Sequence, residues 1–181
     1  MTLSVEDGQL FYKLWLPLLD YVNKKCKVNK KVKNMANAKS LNPPEVKEIA
    51  NVLWDDVSLI DQYLNENETK MPIEHKAIIA SWKRCVQGRF VMERHLKKGT
   101  IFVSEDGKVY QVLGIISSWE EMFPYVPMPL LMEATFIPFR DVIISDGLVM
   151  PYNLVIGTNM AKQFKDTYMD AKKNGTLIKS L

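Results

Sequence analysis

Between Arg89 and Met150 the chain passes through five or six short runs rich in β-branched and aromatic residues, with no helical period between them. A doubly wound parallel sheet alternates strands with helices, so that architecture is excluded. What such a segment can build is a small antiparallel β-sheet or half-barrel. Arg89 to His95 reads as the first strand, returning through Leu96-Lys97-Lys98-Gly99 into Thr100 to Ser104. Glu105-Asp106-Gly107 then separates that run from Val109 to Leu113, and an Asp-Gly pair between β-rich runs is the strongest short-range hairpin cue. Met132 to Pro138 supplies another strand, with Pro138 at its end or on an edge because proline has no N–H for a ladder. Val142 to Ser145, Asp146-Gly147 and Leu148 to Met150 repeat the hairpin logic.

The residues before this segment follow a helical period. Leu10, Leu14, Leu18, Leu19 and Val22 lie three and four apart, which predicts a helix from about residue 8 to 23 that Pro17 kinks or shortens. Asn42 before Pro43-Pro44 is a start signal, and Val46, Ile49, Ala50, Leu53, Val57, Ile60 and Leu64 continue as one helix or as two broken near Asp55-Asp56. Pro72 opens a further helix that carries Ile78, Trp82 and Cys85 and stops near Gly88. Beyond the strands, Met160, Phe164, Tyr168 and Ala171 form an apolar stripe between Gly157-Thr158-Asn159 and Asn174-Gly175, followed by Thr176 to Ile178 as a last strand. The predicted class is α+β: an N-terminal helical region over 1–88, then a sheet region over 89–181 with the C-terminal helix packed on it. One shared core would cover both apolar faces.

Composition narrows the function. The net charge of +3 is a +5 over residues 1–98 and a −2 over residues 99–181. Cys26 and Cys85 are too far apart in sequence for a CxxC site, and His75 and His95 are the only histidines, so no zinc ligand set is local and no metal or cofactor is expected. The scattered glycines form no GxGxxG or GxxxxGK[ST] loop. Gly147 to Ala161 carries no charge but is too short and too polar for a bilayer span, and acidic residues near the start argue against a secretion signal. A cytoplasmic protein with reduced thiols and no membrane partner is the expectation.

Three constellations could carry function. Asp141 and Asp146 flank an apolar strand and Glu133 lies on a neighbouring one, a set a carboxylate-based metal-dependent hydrolase could use, although Asp before Gly147 already suits a turn. Lys24, Lys25, Lys27, Lys30, Lys31, Lys33 and Lys39 form a basic run without an acidic residue, suited to polyanion binding or to a solvated loop. No aromatic or arginine interrupts it, so any nucleic-acid binding would be nonspecific and is not the favoured reading. Met122 to Met132 holds three prolines, and with Trp119, Met122, Phe123, Tyr125, Met128 and Met132 it offers either an adaptable apolar partner surface or a cover for the sheet.

Phe11-Tyr12-Lys13-Leu14, Leu53-Trp54, Arg94-His95-Leu96-Lys97-Lys98-Gly99-Thr100-Ile101-Phe102 and Ile137-Pro138-Phe139-Arg140-Asp141-Val142-Ile143-Ile144-Ser145-Asp146-Gly147-Leu148 occur in an order that resembles a family of uncharacterised bacterial proteins. Some members of that family carry an SEC-C-type tail, whose cysteines are absent here. The resemblance implies no activity and transfers no catalytic residue. The functional expectation is a non-enzymatic module that binds a protein partner through the Pro/Met loop or an exposed strand edge. Nonspecific nucleic-acid binding and hydrolysis stand as alternatives.

Overall fold

Leu14, Trp15, Leu18, Leu19 and Val22 are all buried because α1 (Val5–Cys26) places them on one stripe. The helix continues through Pro17, which lies on its exposed side, so proline neither starts nor ends it. The computed structural model describes residues 1–33, 35 and 41–181 and divides the chain into two units, Glu6–Lys83 and Met1–Val5 with Arg84–Leu181. In the first unit α2 (Pro43–Asp55) and α3 (Ser58–Glu66) are separate helices, parted where the Asp56 carboxylate accepts from the backbone N–H and hydroxyl of Ser58. Asn42 makes no side-chain cap; Pro43 and Pro44 leave two fewer N–H groups to satisfy, and the Asn42 carbonyl accepts from the Val46 N–H. Then comes α4 (Ile73–Ser81). Trp15 stacks on Trp54 at 5.3 Å and meets Trp82 edge-on at 5.6 Å, which joins α1, α2 and the end of this unit in an aromatic core.

The predicted helix through Cys85 ends earlier, at Ser81, and a 3-10 turn over Trp82–Arg84 leads into a strand that begins at Val86 rather than Arg89. The shift redistributes charge. Twelve basic and eleven acidic residues fall in Glu6–Lys83, against twelve and ten in the rest, so the two units carry +1 and +2. The contrast of +5 and −2 comes from a cut at Lys98 that left Arg84, Arg89, Arg94, Lys97 and Lys98 with the helices.

The second unit holds β1 (Val86–Leu96), β2 (Gly99–Ser104), β3 (Val109–Leu113), β4 (Leu130–Phe139), β5 (Val142–Ser145) and β6 (Met150–Pro151). They form one sheet in the order β1-β2-β3-β5-β4-β6. β1 also pairs with β4 through Val86–Met92 and with β2 through Phe90–Leu96, so the ladder returns to the strand it started from. The sheet is mixed and not purely antiparallel, because β3 and β5 run parallel at Val112/Ile143 and Leu113/Ile144. Pro138 pairs with Ile143 on one side, while the β1 ladder on the other side stops at Phe136, which leaves proline where no N–H is needed.

Two further departures concern turns. β4 and β5 are joined by the two residues Arg140-Asp141, with Arg140 at φ 52°, a place where asparagine or glycine is usual. Asp146-Gly147 is not a hairpin turn, because β5 before it and β6 after it both lie along β4. After β3 the chain turns so tightly that a Cβ on Gly114 would lie 2.0 Å from the Ser117 carbonyl oxygen, so only glycine fits. Phe90, Phe102, Tyr110, Trp119, Met132 and Phe136 pack the inside of this sheet. The last helix, α6 (Thr158–Asn174), buries Tyr168 and Ala171 against Ile101, Val103 and Val109, while Met160 of the predicted stripe stays exposed. Arg94 ties it further: its guanidinium bonds Glu93 and lies 4.8 Å from the Tyr168 ring centroid. Thr176 to Ile178 add a single parallel bridge, Ile178 to Tyr110.

Candidate functional site

The sheet unit carries a groove of about 460 Å³ lined by Gln87, Arg89, Glu105, Glu133, Thr135 and Tyr152. Strand pairing assembles it. Arg89 on β1 stands directly opposite Glu133 on β4, which places both side chains on the same face. Arg89 Nε donates to Glu105 Oε1 at 2.6 Å across the β2–β3 turn. Both of those groups are well exposed, so the pair is worth little in stability and can exchange partners. Glu133 is half-buried and pairs with no cation among the described residues, so the groove keeps a carboxylate to offer.

Tyr152 connects this groove to the charge-free run that follows β5. Its backbone N–H donates to the Leu131 carbonyl at 2.9 Å, extending the β6 ladder by one residue. Met150, Tyr152, Leu154, Val155 and Met160 are nonetheless all exposed, Val155 at 94%. β6 pairs with β4 alone, and no second strand among the described residues pairs with its other edge. The run first stood out as a stretch too short to span a membrane, and in the structure no described helix is long and apolar enough to cross one. The missed signal was an apolar, charge-free stretch that is not helical before Thr158.

The Pro/Met loop behaves differently. Trp119, at 1% exposed, and Met132, at 0%, belong to the core. The helical turn α5 (Trp119–Met122) begins at Ser118, whose hydroxyl accepts from the Glu121 N–H while the Glu121 carboxylate accepts from the Ser118 N–H, and this cap drives Trp119 inward. Those bonds also hold the Glu121 carboxyl below the usual carboxylate range. Phe123 and Met128 are half-buried against the same core, leaving Met122 and Tyr125 as its exposed apolar groups.

Of the lysine run, Lys24 and Lys25 end α1 and Lys27 to Lys33 follow it as a turn. Buried Asn23 clamps it: its Nδ2 donates to the carbonyls of Asn29 and Val32, and its Oδ1 accepts from the Asn29 N–H. Lys24 pairs with Asp20 and Lys25 with Glu66, so two cations have acidic partners from outside the run. Lys27, Lys30, Lys31 and Lys33 are exposed with no acidic partner among the described residues, and Lys39 lies outside them.

The carboxylate set is spread apart. Asp146 is 1% exposed and accepts from the Leu148 N–H, whereas Asp141 is exposed in the β4–β5 turn, roughly 20 Å along β4 from Glu133. Among the described residues no three His, Cys, Asp or Glu side chains gather as a metal site would require. His95 Nδ1 lies 2.9 Å from the Thr100 hydroxyl, and burial pushes its pKa down. Burial likewise pushes the Cys85 thiol up, away from a reactive thiolate, and an extended β1 separates it from His95 by roughly 30 Å. No protein-family model matches the chain, and searches of curated proteins and of solved structures return no match either.

Proposed function

We propose that this chain is a non-enzymatic protein-interaction module that takes an extended segment of a protein partner against β6 and the apolar run beyond it. The observation that carries this reading is the exposure of Met150, Tyr152, Leu154 and Val155 on a charge-free stretch beside a strand with one paired neighbour. Contiguous exposed apolar surface is uncommon outside interaction sites. A strand edge supplies backbone hydrogen bonds to an added strand, whose alternate side chains then meet the receiving surface. Glu133 in the adjoining groove favours a segment that also carries one Lys or Arg.

Selection of a random-peptide display library against the full chain is expected to enrich sequences with apolar residues at alternate positions and a basic residue. Leu154→Asp with Val155→Asp is expected to weaken the selected peptides by at least about tenfold without changing the circular dichroism spectrum. Equal binding to that double variant defeats the reading. Turnover in a phosphatase, esterase and nuclease panel that is lost on Asp146→Asn, Glu133→Gln or His95→Ala defeats it too.

A second reading, nonspecific nucleic-acid binding, draws on the four unpaired lysines held by the Asn23 clamp. It predicts affinity that falls steeply with salt and drops when Lys30, Lys31 and Lys33 become Glu. Absence of binding at low salt ends it.

A further inference from the structure

The helical unit contains a second cavity, of about 270 Å³, lined by Lys13, Leu14, Asn67, Lys70, Met71, Pro72 and His75. Three of those groups can be cationic, and no carboxylate is among them. Neither Lys13 nor Lys70 forms an ion pair among the described residues. Glu68 and Glu74 flank Lys70 in sequence and Asp7 is the acidic residue nearest Lys13, but none of the three lines the cavity. Leu14 is buried, and with Met71 and Pro72 it provides an apolar wall beside the cations. α4 begins at this wall, so the positive end of its dipole adds to the field of the lysines.

We propose that this cavity binds a small phosphate monoester, its phosphate between Lys13, Lys70 and His75 and a short apolar group against Leu14, Met71 and Pro72. Two lysine charges match a dianion, and lysine suits compact phosphate as a point charge where planar carboxylates are better served by arginine. The volume lies just below the roughly 300–1,000 Å³ of drug-sized sites, which admits a phosphate with a short appendage and not a whole nucleotide. Nothing in this assignment depends on peptide binding at β6.

The test titrates the full chain with phenyl phosphate, following backbone amide shifts by NMR, with inorganic phosphate and benzoate in separate arms. Phenyl phosphate is expected to move the amides of Leu14, Asn67 and His75 saturably and to bind about tenfold tighter than inorganic phosphate, because the ring is buried. Lys13→Met with Lys70→Met is expected to lose at least about tenfold in affinity, whereas Lys30→Met with Lys31→Met leaves it unchanged. Benzoate binding as tightly as phenyl phosphate overturns the phosphate assignment. Shifts centred on residues 27–33, an unaffected Lys13/Lys70 variant, or no saturable shift overturns the site.

Discussion

Two Asp-Gly pairs in the sheet unit hold glycine at nearly the same positive φ, Gly107 at 78° and Gly147 at 81°. Only one of them reverses the chain. At Asp106-Gly107 the Gly107 N–H donates to the Ser104 carbonyl, and Ser104 to Lys108 closes the β2–β3 hairpin with glycine in the left-handed place of a three-residue loop. At Asp146-Gly147 the chain bulges and goes on: Phe136 faces Ser145 while Met132 faces Pro151, so it spends two extra residues passing along the same neighbour. The difference lies in that neighbour. β4 is ten residues long and still offers Thr135 to Leu131 to a chain leaving β5, and the Asp146 N–H takes the Thr135 carbonyl at once. Turn chemistry therefore permits a reversal, and the length of the strand alongside decides whether it happens. One consequence is functional: because the chain does not fold back, Met150 to Val155 are left on the sheet edge and in solvent.

The sharpest way to break this comparison is to remove each aspartate. Asp146 is buried and accepts from the Leu148 N–H, so Asp146→Ala leaves a donor short of its acceptor and is expected to cost about 2–3 kcal/mol. Asp106→Ala, on an exposed turn, is expected to stay within about 0.5 kcal/mol. Urea unfolding followed through amide exchange of Ile143 and Ile144 measures both. Equal losses would show that the two pairs do the same structural job. Gly107→Ala and Gly147→Ala come next, and each is expected to cost about 1–2 kcal/mol, because both glycines hold a left-handed φ. A negligible cost at Gly147 would mean that the bulge can relax, and that β6 is not fixed by it.

The same contrast explains what could be read in the chain beforehand. Five strands and the α+β class were legible because Val109 to Leu113 or Val142 to Ser145 are β-rich whatever they pair with. Pairing was not legible, since the parallel β3–β5 contact and the double use of β1 depend on residues far apart in sequence. The β4–β5 turn was missed because Arg140-Asp141 lacks the glycine or asparagine that announces such a loop. Site residues divided along the same line. Trp119 and Met132 have the composition of a binding surface, but a capping box and a central strand turn them inward. Arg89 and Glu105, unremarkable in sequence, and Glu133, which the sequence grouped with Asp141 and Asp146 instead, meet only because β1 lies between β2 and β4.

The smallest effect isolates turn electrostatics from turn shape. Asp106 is held down to about 2, first by the Lys108 ammonium that bonds it and then by the Ser104 hydroxyl, both inside the hairpin loop. A carboxyl lowered in the folded state stabilises above its unfolded value, here 3.8, and that contribution disappears as pH falls through about 2. All three groups are solvent-exposed or nearly so, and water screens the ion pair at 2.7 Å, so the contribution at neutral pH is expected to be small. Carboxyl-carbon NMR titration is expected to find Asp106 ionising below 3.8 in the parent chain, to move it back toward 3.8 in Lys108→Met, and to move it less in Ser104→Ala. An Asp106 that titrates at its ordinary value in the parent would mean that the loop does not hold Lys108 against it. The β2–β3 turn would then owe its shape to Gly107 and the Ser104 backbone alone, which is the condition under which its likeness to Asp146-Gly147 would be closest.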